Sequence, residues 1–210
     1  MLIVLLMFTA PAIALPVHAV IQTGSNLGRA WLMRSHIMFD IFKWIIPGVL
    51  IGVVVASMVF MSVPDRLLKI SLALFILWSV WTPKLRLRQI SSPTYLGVGA
   101  VSSFLAMFLG TTGPLLAAFL TPERYGRFRT VSTHAACMTL QHLTRMIAFG
   151  YLGFQYTEWV PLLIALLISG FAGTWLGASI LKIVPEQTFR WVFKITLSLL
   201  ALRLLYRAIF

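Results

Sequence analysis

Long apolar runs fill most of this chain and restrict its fold more than any other feature. The runs cover residues 41–62, 67–83, 94–120, 131–152, 158–181 and 187–209, with a less apolar segment at about 12–34 ahead of them. Most runs reach the roughly 17–25 residues that a bilayer-spanning helix needs. They are continuous rather than alternating, which favours helices over the strands of a membrane barrel. We therefore predict an all-α polytopic membrane protein.

The number and positions of the charged residues also indicate a membrane environment. Only 10% of the 210 residues are charged and 60% are hydrophobic, whereas soluble domains carry about 25% charged residues. The net charge is +12, and many of the cations lie between the runs, as Lys84, Arg86, Arg88, Arg124, Arg127 and Arg129 do. Membrane proteins place cations beside anionic headgroups in this way. We expect the lipid bilayer, and no nucleic acid, to be their partner, because no soluble element offers a basic face.

A polar pattern that occurs twice indicates a duplicated chain. HAVIQTGSNLGR runs from His18 to Arg29, and HAACMTLQHLTR runs from His134 to Arg145. Further pairs follow in the same order: Asp40 with Glu158, Gly52 and Ala56 with Gly173 and Gly177, SVPD with IVPE, and KISL with KITL. A bias toward apolar residues does not place His, Arg and acidic residues in one order. We predict two homologous halves, each with three to four membrane helices.

The predicted boundaries are 1–83 for the first repeat, 84–93 for a basic linker loop and 94–210 for the second repeat. The second repeat opens with the run 94–120, whereas the first has only the stub 1–8 in the equivalent place. We expect the first opening helix to be largely missing, and a longer form to carry a glycine-rich segment upstream of Met1. The apolar start resembles a signal peptide, but it lacks a positive n-region and contains Pro11 and Pro16, so we expect it to be retained.

The segment GTTGP interrupts the run 94–120. Glycine is permissive and proline lacks an N–H, so we predict a broken helix whose backbone donors and positive half-helix end face a ligand. A simple proline kink is the alternative. The candidate binding residues of this segment are Gly110, Thr111, Thr112 and Gly113.

Each repeated pattern forms a polar stripe about 100° wide when it is drawn on a helix of 100° per residue. The candidate residues of the two stripes are His18, Gln22, Ser25, Asn26 and Arg29 in the first half, and His134, Gln141, His142 and Arg145 in the second. Polar groups at membrane depth face the protein interior or a water-filled cavity. We predict that the two stripes face each other and form one substrate site that draws on both repeats.

The chemistry of the stripes favours an anion. They contain donors and cations but no carboxylate, and arginine offers a planar fork of donors to carboxylate, sulfonate or phosphate. The alternatives are that Arg29 and Arg145 extend to headgroups, that the histidines have packing roles, or that His18, His134 and His142 hold a metal. Acids at the starts of helices, Asp40 and Glu158, are expected to act as caps rather than in proton coupling. Gly170, Gly173 and Gly177 are expected to serve close helix packing.

These features together resemble the TauE/SafE family, also called the 4-toluenesulfonate uptake permease family. The resemblance rests on GTTGPLL at 110–116, the two polar patterns, Asp40 and Glu158, and Gly52 and Gly173 in their order. It implies a duplicated multi-pass permease or exporter of a small sulfur-containing anion, such as sulfite or a sulfonate, or of a related carboxylate. It also implies a prokaryotic plasma (inner) membrane location.

Two other functional classes are weighed against transport. One is an intramembrane enzyme or metal-handling protein that uses the histidines; the other is a non-transporting assembly factor. The chain offers no nucleophile and base pair, and its single cysteine, Cys137, is expected to be a buried hydrophobe, so we expect no enzyme activity and no cofactor. A homo-oligomer is possible. If 94–120 crosses the membrane, the basic loops 84–93 and 121–130 lie on opposite sides, and the positive-inside rule gives no orientation.

Overall fold

The structure is a computed structural model that describes residues 1–82, 91–181 and 185–209, and it is helical with no strand in these ranges. The long helices are α2 (Pro11–Leu32), α3 (Phe39–Phe60), α4 (Asp65–Trp81), α5 (Thr94–Leu109), α8 (Arg127–Tyr151), α9 (Val160–Leu181) and α10 (Glu186–Ile209). The short helices are α1 (Leu2–Phe8), α6 (Gly113–Phe119) and α7 (Pro122–Tyr125). The all-α prediction is confirmed. Residues 83–90, which include most of the predicted basic linker 84–93, lie outside the described ranges.

Contacts near the helix ends show how the long helices run. Trp81 Nε1 donates to Ser198 Oγ at 2.9 Å, and Arg66 Nη2 donates to Ile209 O at 3.5 Å, so α4 and α10 are antiparallel. Met38 N donates to Thr133 Oγ1 at 2.9 Å, so α3 begins beside the beginning of α8. We call the end of the bundle where α3 and α8 begin face A, and the opposite end face B.

The directions of α2, α4 and α10 follow from further contacts. Arg29, near the end of α2, and Ser79, near the end of α4, line one cavity with Thr130 in the first turn of α8. Helices α2 and α4 therefore end at face A, and α10, antiparallel to α4, begins there. The start of α2 lies toward the end of α8, since His18 contacts Arg145. The two stripe-bearing helices are thus antiparallel.

The run 94–120 does not cross the bundle. The Tyr95 hydroxyl, at the start of α5, lies 2.9 Å from the Tyr125 hydroxyl and donates to Phe119 O at 3.3 Å. Helix α5 therefore enters from face A and α6 returns to it, as a re-entrant pair. The condition for placing 84–93 and 121–130 on opposite sides, a full crossing by 94–120, is therefore not met.

The turn of this pair lies at the GTTGP segment, as predicted. Gly110 has φ +72°, in the left-handed region, and its N–H caps α5 by donating to Ala106 O at 2.9 Å. A Cβ at Gly110 would also collide with Leu2 and Leu15 side chains, so glycine is required for both conformation and space. Helix α6 begins at Gly113 with a proline in its first turn. The segment is a helix break rather than a proline kink.

Helices α3 and α5 pack backbone to backbone through small residues. A Cβ at Gly48 would collide with Leu96 O, and one at Gly52 would collide with Ala100 O. Such small-xxx-small faces let membrane helices approach closely. On α9, a Cβ at Gly173 would meet no atom within 4 Å, so the close packing predicted for Gly170, Gly173 and Gly177 is not seen at that position. The surroundings of Gly177 lie outside the described part of the structure.

Within the described residues, one helix, Phe39–Phe60, is long and apolar enough by itself to cross a bilayer. Helix α8 passes the same test only together with Tyr156–Gly170, across a bend of 118°. The polar stripes lower the mean hydropathy of α2 and α8. Large apolar side chains are exposed along α3, α9 and α10, among them Val54, Met58, Leu167, Ile168, Val192, Phe193 and Leu199. An apolar exterior of this kind is typical of a surface that contacts lipid or protein.

Candidate functional site

The two polar stripes meet inside the bundle beside the helix break. His18 on α2 and His142 on α8 are buried, and their ring centroids are 5.7 Å apart. Arg145 follows one turn later on α8 and has 0% of its surface exposed. These three residues, together with Gln141 and Thr112, are called the inner cluster. Antiparallel packing of α2 on α8 brings them together, because it sets the start of one pattern against the end of the other.

Arg145 connects the helix break to α2. Its Nη1 donates to Ala106 O at 2.8 Å and to Gly110 O at 2.6 Å, which are carbonyls at the C-terminal end of α5. Its Nη2 lies 3.4 Å from Leu15 O and 3.5 Å from His18 Nδ1. A cation stabilises the negative end of a helix, where carbonyls lack intrahelical partners. Arg145 therefore does not extend to headgroups.

Several polar atoms of this region are buried without a hydrogen-bond partner. They are Arg145 Nε, both ring nitrogens of His142, and Ser103 Oγ on α5. A buried polar atom without a partner costs about 1–3 kcal/mol, and native proteins contain few of them. Arg145 and His142 lie one helical turn apart on α8, so their partnerless nitrogens are close enough in sequence to be satisfied by one polar group.

A second set of contacts fixes the break itself. Gln141 Nε2 donates to Ser102 Oγ at 2.6 Å, and Thr112 Oγ1 donates to Ser102 O at 3.1 Å and lies 3.2 Å from Gln141 Oε1. Thr112 thus uses its hydroxyl in the turn. Thr111 is only partly buried. Nη1 of Arg145 and the Gln141 amide hold both sides of the turn in place.

His134 and Arg29 lie apart from the inner cluster. His134 Nε2 is 3.2 Å from Gly113 O. Both residues line a cavity of about 570 Å³ at face A, bounded by α2, α4, α6 and α8. Thr130 also lines it, and its Oγ1 is buried without a partner. We call this space the outer cavity. The structure therefore divides the single predicted site into two places.

The other predicted residues of the first stripe are less central. Asn26 is buried, but its Nδ2 donates to Gln22 O, one turn earlier in the same helix, at 2.8 Å. Gln22 is partly buried and Ser25 is exposed. Their roles in binding stay predictions.

Sequence reasoning missed Ser102, Ser103 and Thr130. The two serines lie within an apolar run and belong to no repeated pattern, so nothing in the sequence distinguished them from packing residues. Thr130 lies one helical turn before His134, on the same face of α8, and extending the stripe by that turn would have included it. The carbonyls of Leu15 and Ala106 have no sequence signal, because any residue supplies a carbonyl.

Carboxylates are placed at helix starts rather than in the inner cluster. Asp40 and Asp65 lie in the first turns of α3 and α4, Glu123 in that of α7, and Glu158 in that of a 3₁₀ turn at Tyr156–Trp159. Helix first turns favour negative charge. Among the described residues, no group of three or more His, Cys, Asp or Glu side chains has metal-binding geometry.

Comparison with known proteins assigns the chain to one family. No curated protein and no solved structure matches the chain. The family described as "Sulfite exporter TauE/SafE" matches residues 1–204. Its members are membrane transporters. The chain, with its polar helices packed against a re-entrant glycine-rich break, therefore belongs to the TauE/SafE sulfite exporter family.

Proposed function

We propose that this protein transports a small sulfur-containing anion, such as sulfite or a sulfonate, across a prokaryotic plasma membrane. The observation that carries the proposal is the inner cluster, in which Arg145 Nε and both ring nitrogens of His142 are buried without a hydrogen-bond partner. The Nη groups of Arg145 bond to carbonyls and His18 rather than to a carboxylate. An oxyanion would accept from Nε and from a protonated nitrogen of His142, and its charge would be balanced by the guanidinium.

The architecture that supports transport is an inverted repeat. In this proposal α1 to α4 form one half and α5 to α10 the other. Helix α1 returns toward face B from a point beside Gly110, since Met7 O accepts from Arg207 Nη1 at 2.8 Å near the end of α10. Helix α6 returns in the same manner to face A. Transporters with inverted repeats place substrate between their halves, at broken helices.

Metal handling is the less favoured alternative. His134 and His142 are eight residues apart on α8, which separates them by about 12 Å along the axis. His18 contacts His142, whereas His134 contacts Gly113 O. The three histidines therefore do not converge on one point. A hydrogen-bonded oxyanion accounts for the partnerless nitrogens of His142 without a metal.

The test uses purified protein in liposomes and labelled sulfite. We expect sulfite flux above that of protein-free liposomes, and a decrease of at least about tenfold for His142→Phe, because a hydrogen bond to a charged ligand contributes about 1.5–3 kcal/mol. The same variant should melt no lower than the unaltered protein, since it removes two partnerless polar atoms from the interior. His36→Gln, which changes an exposed histidine, should leave flux unchanged. Absence of flux of sulfite and of sulfonates by the unaltered, folded protein would overturn the proposal.

A further inference from the structure

We infer that the outer cavity is a second anion site, separate from the inner cluster, through which substrate is loaded from the cytoplasmic side. The inference rests on the proposed function. It assigns Arg29 and His134 to one site, and Thr130 lies in the wall beside them. The ligand is a small oxyanion of the transported class.

The cavity has the composition of a small-molecule site. Its volume of about 570 Å³ lies within the roughly 300–1,000 Å³ typical of such sites. Apolar side chains such as Trp78, Leu115 and Val131 form much of its wall, and a few polar groups converge on it. Thr130 has 7% of its surface exposed, and its hydroxyl has no partner. The Thr130 hydroxyl is itself closed off from the open space, so the polar groups that line that space on α2 and α8 are the Arg29 guanidinium and the His134 imidazole.

The two places are too far apart to bind one small anion together. His134 and Arg145 are eleven residues apart on α8, or about 16 Å along its axis. His134 is positioned by Gly113 O on one side of the helix break, and Arg145 by Gly110 O on the other. A sulfite ion is only a few ångströms across. The single site predicted from the two stripes therefore becomes two.

Each of the two sites combines the histidine of one repeat with the arginine of the other. The inner cluster pairs the histidine of the first pattern, His18, with the arginine of the second, Arg145. The outer cavity pairs the histidine of the second, His134, with the arginine of the first, Arg29. Antiparallel packing of α2 on α8 produces both pairs. In this structure Arg145 is sealed, whereas Arg29 is exposed, so only the outer site is open.

The outer cavity opens at face A, which carries more of the described cations. Face A has Arg29, Arg34, Lys43, Arg124, Arg127, Arg129, Arg190 and Lys194, whereas face B has Arg66, Lys69, Arg203 and Arg207. Cytoplasmic loops of membrane proteins carry the excess of Lys and Arg. Face A is therefore the cytoplasmic side, and the orientation follows once 94–120 is known to be re-entrant. A site open on this face loads an exported anion.

One carboxylate also lies on the cavity wall, and removing its charge distinguishes an anionic ligand from a cationic one. Glu123 is exposed there, and removal of its charge raises the positive potential of the cavity. An anion should therefore bind Glu123→Gln more tightly than the unaltered protein, whereas a cation should bind it less tightly. An anionic lipid headgroup presents the same chemistry as a free oxyanion, so the experiment separates the two sources.

The experiment measures cavity occupancy by thiol protection. Ala117→Cys is introduced into a Cys137→Ala protein, because Ala117 is exposed and lines the cavity. Methanesulfonate, which does not react with thiols, is the probe. We expect maleimide to label the new thiol from the cytoplasmic side, in inside-out vesicles, and methanesulfonate to slow labelling in nanodiscs of zwitterionic lipid. Arg29→Gln should weaken protection by about tenfold, and Thr130→Val, which changes a hydroxyl closed to the cavity, should weaken it less. Glu123→Gln should strengthen it.

The control is Thr139→Val, because the Thr139 hydroxyl bonds to Ala135 O of its own helix at 2.8 Å; it should leave protection unchanged. Labelling from the external side only would overturn the assigned orientation. Protection by anionic lipid but not by methanesulfonate would overturn the loading role and indicate a lipid site. Sulfite flux with no effect of the Arg29 and Thr130 substitutions would refute the second site alone. Absence of flux in the unaltered protein would instead refute the proposed function.

Discussion

Replacing Arg145 by lysine is expected to remove most transport and to destabilise the protein by about 1–3 kcal/mol, although the charge is retained. One guanidinium bonds to two carbonyls of α5 and contacts Leu15 O and His18 on α2. An ammonium on a flexible stem does not reproduce this fork. Ala106 O keeps its bond from Gly110 N–H, but Gly110 O would lose its guanidinium donor, and a carbonyl left unpaired in the interior costs about 1–3 kcal/mol. Melting in detergent and sulfite flux in liposomes measure the two effects.

The matched control is Arg29→Lys. Arg29 is exposed near the end of α2, so lysine there should change the melting temperature little. Its effect on flux tests the outer cavity separately. Equal stability and equal flux for Arg145→Lys and the unaltered protein would show that the guanidinium contacts neither stabilise the helix break nor contribute to substrate binding.

Gly52→Val is expected to prevent folding or to lower stability by at least about 3 kcal/mol, at the upper end of the cost of overpacking. Even a Cβ at this position would collide with Ala100 O, which is backbone and cannot rotate away. Helix α3 would have to separate from α5, and α5 carries the carbonyls that Arg145 binds. Loss of transport should accompany the loss of stability. The melting temperature in detergent and the yield of monodisperse protein test the effect.

Gly97→Ala on α5 is the control for this substitution. A Cβ there would meet no atom within 4 Å, and alanine is favoured over glycine in a helix by about 1 kcal/mol. The variant should therefore be as stable as the unaltered protein or more stable. Similar behaviour of the two variants would contradict the close packing of α3 on α5.

The sequence predicted the helices well, because each is a long apolar run with a clear end. The runs 41–62 and 67–83 correspond to Phe39–Phe60 and Asp65–Trp81. The break at GTTGP also followed from local chemistry, since glycine and proline act on their own backbone. The polar stripes indicated which faces of α2 and α8 meet, because a charged side chain in lipid is expensive at any position along the chain.

What the sequence did not predict depends on distant partners. A largely apolar run of 27 residues suits a crossing helix as well as a re-entrant pair, and the contact between the Tyr95 and Tyr125 hydroxyls decides for the re-entrant pair. Arg29 and Arg145 have equivalent places in their patterns, yet one is exposed and the other sealed. That difference arises from the carbonyls of α5 that contact Arg145. A sequence does not show which carbonyls will do so, because every residue has one.

The pairing of α2 with α8 has a consequence for biosynthesis. His18 and Arg145 are 127 residues apart in the chain. At synthesis rates of about 5–20 residues per second, α2 leaves the ribosome roughly 6–25 seconds before the part of α8 that covers its polar side. During that interval His18 lacks the contacts with Arg145 and His142 that it makes in the folded protein. We therefore expect the polar side of α2 to stay beside water, the insertion machinery or a chaperone until α8 has been made.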